Sequence, residues 1–153
     1  NMSFTYKYPR PAVTVDIVLF RKTVLSWQVL LIERNTDPFA GHWAFPGGFV
    51  DMDEDLEQAA KRELLEETSL SDLNLNQFHT FGKVNRDPRG RTISVGYTAV
   101  VQEKDAIHPI AGDDAAKAEW FNVGNLPDLA FDHYEMLEMA LLYHKQLNEL
   151  DIC

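Results

Sequence analysis

The segment Asp53–Thr68 (DEDLEQAAKRELLEET) gathers acidic side chains into a stretch with the composition of a strong helix, with acids in its first turn. With Leu56 at zero and about 100° per residue, Ala60, Glu63 and Glu67 fall within about 40° of it. Ala59, Leu64 and Glu66 flank them within about 80°, while Gln58, Lys61, Arg62 and Thr68 project from the other side. Glu63 and Glu67 therefore lie in the middle of the face that packs against the protein, beside two alanines small enough to leave room.

An arbitrary glutamate run is a solvated, helix-favouring face. The phase of this one opposes that reading. Three inward carboxylates within one turn repel one another and lose hydration, which raises their pKa values. A divalent cation removes both penalties. Hard oxygen donors of this kind suit Mg²⁺ or Mn²⁺, which keep positions open for water and a substrate phosphate. Arg62 is placed to hold one carboxylate in orientation. Just upstream, Pro46-Gly47-Gly48 lets the backbone approach the acids and present a carbonyl as a further ligand. It is not a Walker-type phosphate loop, because no Gly-Lys-Ser/Thr follows.

The elements that must position this helix read as follows. Ala12–Phe20 and Trp27–Arg34 are β-branched or apolar and predict strands, and Asn35–Trp43 predicts a loop. Phe78–Arg86 and Thr92–Gln102 predict strands joined by the turn Asp87-Pro88-Arg89-Gly90. Ile110–Lys117 predicts a loop, Ala118–Asn122 a short strand and His133–Glu149 a closing amphipathic helix. This alternation implies the α/β class, a mixed sheet between helices. No repeat or linker divides the 153 residues, so residues 2–153 read as one domain with Met2 as the natural start.

Net charge is -10, from 14 Lys and Arg against 24 Asp and Glu, which repels nucleic-acid backbones in general. The same field repels a phosphorylated small molecule unless a metal or a local basic patch reverses it. No run of residues is long and apolar enough for a membrane span, and no signal peptide opens the chain. The single cysteine, Cys153, excludes a disulfide framework and suits the cytoplasm.

Gly48, five residues, Glu54, seven residues, then Arg62-Glu63-Leu64-Leu65-Glu66-Glu67-Thr68-Ser69-Leu70 resembles the Nudix box, Gly-x5-Glu-x7-Arg-Glu-U-x-Glu-Glu-x-Gly-U, with U a bulky apolar residue. Every defined position matches except Ser69, where the family has glycine. A non-glycine residue at that helix end costs roughly 1 kcal/mol and touches loop shape rather than chemistry. The resemblance implies a Nudix fold, a mixed sheet sandwiched between helices. It implies Glu63, Glu66 and Glu67 as metal ligands with the Gly47 carbonyl, supported by Glu54 and Arg62. It also implies Mg²⁺-dependent attack of water on a phosphorus of a nucleoside diphosphate linked to another group. The segments WAFPGGFV (43–50), DPRGRTISV (87–95), GDDA (112–115), EWF (119–121) and LAFDH (129–133) are similar to the ADP-ribose pyrophosphatase branch. A small-molecule nucleotide, ADP-ribose first, is the implied substrate, and a homodimer is an allowed assembly.

Arg86, Arg89 and Arg91 flank one turn, where a guanidinium fork suits phosphate and a solvated hairpin tip serves as well. Arg34 is grouped with them as a substrate contact. Asp113 and Asp114 lie in a loop that the resemblance places over the metals, as an extra ligand or general base, although a loop aspartate also forms turns. Glu119 is the fallback. Asp132 reads as the N-cap of the last helix and His133 as a pocket residue. Phe45, Trp43 and the Phe4–Tyr8 arm either stack on adenine or join the core. Three rivals stand beside this reading: an ADP-ribose sensor of a transcriptional regulator, a hydrolase of oxidised nucleoside triphosphates and a Ca²⁺-binding module. The regulators carry an added DNA-binding domain, and no EF-hand spacing is present.

Overall fold

The β-branched run that opens the fold becomes its central strand. In a computed structural model, which describes residues 3–102, 109–112 and 115–147, β1 (Ala12–Lys22) sends successive side chains to opposite faces. Val15, Ile17 and Leu19 join one core cluster with Ala59, Ala60 and Leu64 of α1 (Leu56–Thr68). Val18 and Phe20 join another with Met136, Leu137 and Ala140 of α2 (His133–Gln146). Burial on both faces is why the strand is a nearly continuous apolar run.

The remaining strands are β2 (Trp27–Arg34), β3 (Trp43–Ala44), β4 (Gly47–Phe49), β5 (Asn76–Phe81), β6 (Thr92–Val101) and β7 (Ala115–Asn122). They form one seven-stranded sheet in the order β3-β2-β1-β6-β5, with β4 on β1 and β7 on β2. β1 and β6 run parallel from Ala12↔Thr92 to Arg21↔Val101, and β2 pairs antiparallel with β1 from Phe20↔Val29 to Lys22↔Trp27. At its other end β1 pairs instead with β4, Thr14↔Phe49 to Asp16↔Gly47. The sheet thus parts between β2 and β4, and a cleft opens there. This is the mixed α/β sandwich expected.

Several boundaries differ from expectation. α1 starts at Leu56, because the preceding residues are committed to a turn in which Glu54 Oε1 accepts the Asp51 N–H at 2.8 Å. Gln58 Oε1 then accepts the Asp55 N–H at 2.9 Å, closing the helix start. Leu56 is more than a third exposed, whereas Thr68 is buried with its hydroxyl donating to the Leu64 carbonyl at 2.6 Å. β5 stops at Phe81, and residues 82–86 leave the sheet toward α2. β7 begins at Ala115, inside the expected loop, since Arg34 still offers a pairing position there. The short β3 and β4 were not anticipated.

The last turn of α1 is held from outside. The Ile110 N–H donates to the Thr68 carbonyl at 2.8 Å, and the Gly112 N–H to the Glu67 carbonyl at 3.0 Å. A Cβ on Gly112 would sit 1.6 Å from the Glu66 carbonyl oxygen, so only glycine fits. Ser69 takes the left-handed conformation, φ 63°, that the family glycine serves. Ser69→Gly is expected to stabilise the fold by about 1 kcal/mol, raising Tm by roughly 2–4 °C in a melt. An unchanged or lower Tm would show that the serine is not strained.

Candidate active site

β4 lies directly beneath the acidic turn of α1. A Cβ on Gly48 would fall 2.5 Å from the Glu63 carboxylate carbon, which explains the glycine pair. The Gly47 N–H donates to Glu67. Glu63 and Glu67 hydrogen-bond to one another, which requires a shared proton, and Glu67 Oε2 is buried with no hydrogen-bond partner among the described residues. Burial, followed by the Glu63 charge, pushes the Glu67 carboxyl up to about 9. Burial also raises Glu63, against the lowering effect of Arg62.

Arg62 organises the other acids. Its Nε donates to Glu54 Oε2 at 2.9 Å and its NH2 to Glu54 Oε1 at 2.5 Å. NH1 reaches Glu63 Oε1 at 2.7 Å and Glu66 Oε2 at 3.2 Å, and NH2 also reaches the Phe49 carbonyl at 3.1 Å. The hydrogen bond from Arg62 pulls Glu54 down to about 2, and the same bond raises Arg62. Arg62 thus ties Glu54, Glu63 and Glu66 into one network. Glu66 departs from the inward phase: 56% of its side chain is exposed, and its partner among the described residues is Arg62. As the side chains stand, no three acidic or imidazole groups among the described residues form a ready-made metal cage. The orphaned, buried Glu67 Oε2 beside Glu63 and the glycine cradle nevertheless fit a hard divalent cation, which would replace the shared proton.

The cleft has a volume of about 440 Å³. Its lining includes the acids Asp16, Asp51, Glu63 and Glu67 together with Arg34, Arg89, Phe49 and Phe131. The Arg89 guanidinium lies 4.8 Å from the Phe49 ring and 5.1 Å from the Phe131 ring, and that of Arg34 lies 4.9 Å from Phe131. Asp87 fixes Arg89, accepting from its Nε at 3.0 Å and its NH2 at 2.7 Å. The Arg34 Nε donates to the Pro38 carbonyl at 2.8 Å. Burial, then the nearby Arg89 charge, lowers the Arg34 pKa.

His133 closes the floor. Its Nδ1 accepts the Phe45 N–H at 3.0 Å, and its ring stacks on Phe45 at 5.3 Å. Burial lowers its pKa, so the ring is neutral and carries its proton on Nε2, 3.7 Å from Asp16 Oδ1. Asp16 Oδ2 accepts the hydroxyl of Ser94.

Of the other residues singled out from sequence, Arg86 lines the cleft but is committed to Asp132, with bonds of 2.8 and 2.7 Å. Asp132 therefore does not cap α2 through its side chain; the buried guanidinium takes it instead. Arg91 stands outside the cleft lining, its NH1 donating to the Gly82 carbonyl at 2.8 Å. Trp43 packs edge-on against Phe121 in the core. Phe4 stacks on Tyr6 and is not part of the cleft lining, and Glu119 is exposed on β7. Asp113 and Asp114 lie outside the described residues. Asp16, Asp87 and Phe131 were missed. A lone aspartate inside the apolar strand AVTVDIVLF was the available signal for Asp16, because a buried acid needs a reason.

The NUDIX domain model matches residues 10–140. The ADP-ribose pyrophosphatase of Methanocaldococcus jannaschii is 40% identical over 131 residues, covering 86% of this chain and 73% of that protein. The ADPR responsive transcriptional repressor NtrR of Acinetobacter baylyi is 38% identical over 137 residues, covering 87% of this chain. The match spans 54% of that repressor, about half its length. Among solved structures, the NUDIX domain of Shewanella oneidensis NrtR complexed with ADP ribose superposes with a TM-score of 0.82 at 34% identity, covering 92% of this chain and 90% of that one. A MutT/nudix family protein from Enterococcus faecalis gives 0.84 at 33% identity, covering 94% and 66%.

The box and its cradle, together with the matched model, place the class: this chain belongs to the NUDIX domain family. Within that family it falls in the ADP-ribose pyrophosphatase-like branch. No helix among the described residues is long and apolar enough to cross a membrane.

Proposed function

We propose that the chain hydrolyses the pyrophosphate bond of a nucleoside diphosphate linked to a sugar, with ADP-ribose preferred and AMP and ribose 5-phosphate as products. The observation that carries this is the buried Glu67 Oε2, without a hydrogen-bond partner among the described residues, beside Glu63 in a cleft that Arg34 and Arg89 also line. Glu63, Glu66, Glu67 and the Gly47 carbonyl would hold Mg²⁺, with Mn²⁺ as a substitute. When bound, the cation offsets developing phosphate charge and lowers the pKa of an attacking water. Arg62 keeps Glu63 aimed, and Glu54 keeps Arg62 aimed. Arg34 and Arg89 bring positive charge to the diphosphate, while Phe45 and His133 shape the floor. Asp113 or Asp114 is proposed as the general base. A cytoplasmic setting, a homodimer and no nucleic-acid partner complete the proposal, the last resting on a net charge of -10.

Similarity to the ADP-ribose-bound NrtR domain favours a second reading, an ADP-ribose-responsive regulator that binds without turnover. One panel separates the two. ADP-ribose, ADP-glucose, NADH, diadenosine polyphosphates and 8-oxo-dGTP are compared at equal Mg²⁺, with products identified by mass spectrometry. ADP-ribose is expected to have the highest kcat/KM, because the groups flanking the metal site contribute only for a substrate that extends beyond the diphosphate. Excess chelator is expected to abolish turnover and added Mg²⁺ or Mn²⁺ to restore it. Turnover surviving chelation overturns the metal assignment, and a tenfold preference for another substrate reassigns the specificity. Tight ADP-ribose binding with no product favours the regulator.

A further inference from the structure

We infer that Asp16 and His133 form a subsite for a sugar hydroxyl of the ligand, an assignment that rests on the sugar-nucleotide reading above. Both residues line the cleft and both are buried, Asp16 at 8% and His133 at 2% exposure. Each is fixed from behind. The Ser94 hydroxyl holds Asp16 Oδ2, and the Phe45 N–H holds His133 Nδ1. What remains toward the cleft is one acceptor, Asp16 Oδ1, and one donor, His133 Nε2–H. They stand 3.7 Å apart, too far for a hydrogen bond to each other.

A hydroxyl is the smallest group that donates and accepts at once. Its oxygen can lie within about 2.8 Å of both atoms, donating to Asp16 and accepting from His133. A phosphate oxygen cannot, since it has no proton to give Asp16. An apolar group would leave two buried polar atoms unsatisfied. Asp16 pairs with Gly47 across β1 and β4, so the hydroxyl belongs to a sugar next to the diphosphate. The pair therefore selects ribose-bearing ligands over diphosphates that end in a plain alcohol.

The test uses three compounds: ADP-ribose, ADP esterified with a simple alkyl alcohol, and ADP-ribose built on 2′,3′-dideoxyadenosine. The two analogues delete hydroxyls on opposite sides of the diphosphate. For wild type and Asp16→Asn, kcat/KM and the calorimetric Kd are measured for each. The wild type is expected to prefer ADP-ribose by at least about tenfold over one analogue, which identifies the sugar concerned. Asparagine that keeps its oxygen on the Ser94 hydroxyl presents an NH₂ where the ligand hydroxyl needs an acceptor, so the preference is expected to collapse toward unity. A wild type without preference, or a folded variant that keeps it, overturns the subsite. If Asp16→Asn does not fold, Ser94→Ala leaves the carboxyl in place but frees it; an unchanged preference there also overturns the subsite. A preference present in Kd without any turnover upholds the subsite and overturns the hydrolase reading alone.

Discussion

Glu67→Gln is expected to lower kcat by about a hundredfold or more, about 2.7 kcal/mol in the barrier, while the protein stays folded. Glutamine keeps the shape of the side chain but not the charge that a cation requires. Glu57→Gln is the control, since Glu57 is exposed and forms a surface pair with Lys61 at 3.2 Å, and it is expected to be nearly silent. If the two variants behave alike, the inward face of α1 is not the metal face. The substitution has a second expected result of opposite sign. The Glu67 pKa is raised to about 9 in the fold, so the metal-free protein loses stability as pH climbs from the ordinary carboxylate range through that value. The variant has no such group. In chelator its Tm is expected to vary less with pH and to exceed the wild type's above pH 8. A variant that loses stability together with activity would indicate a structural role instead.

Arg86→Ala is expected to destabilise the fold by about 3–5 kcal/mol, a Tm drop on the order of 10 °C. Only 4% of the Arg86 side chain is exposed, and Asp132 is 13% exposed. Burial works against the Arg86 charge, but its two bonds to Asp132 more than reverse this and hold its pKa above the ordinary value. Alanine leaves the Asp132 carboxyl without that partner at the start of α2. The double variant Arg86→Met with Asp132→Leu is expected to recover much of the loss, because removing both charges removes the unpaired one. A single variant that melts within about 2 °C of wild type would show the pair to be idle.

How far sequence carried the site depends on the range of the interaction. Ala59, Ala60, Glu63 and Leu64 were readable as one buried face because helical period is a local property, and the sheet obeyed it. Glu66 fell at the margin of that face, and the angle alone did not reveal that Arg62, one turn earlier, would hold it near the surface. Arg86 was read from its neighbours Arg89 and Arg91 as a hairpin cation. Its actual partner is 46 positions away, and no local pattern announces such a pair. The same distance effect hid the competition for Asp132, which has the right residue type for a cap but a stronger claim on it. β3 and β4 were missed because strands of two and three residues are too short for any period to show. The sandwich was legible because its longer elements alternate in ways that only a two-sided mixed sheet can satisfy.

The parallel pairing of β1 with β6 also sets the order of events in the life of the chain. Asp16 and Ser94 are 78 positions apart, yet the floor of the cleft exists only where they meet. A hairpin of β1 and β2 can close early, whereas this pairing must wait for a long stretch of chain and carries the slow, non-local part of folding. The closure penalty rises only slowly with length, so insertions between α1 and β6 are tolerated far better than a shift in register. During synthesis the acid-bearing helix emerges well before the strand that completes its seat. A chain halted before Val101 holds the acidic helix without the strand that fixes Asp16, and Phe131 and His133, which close the cleft, emerge later still.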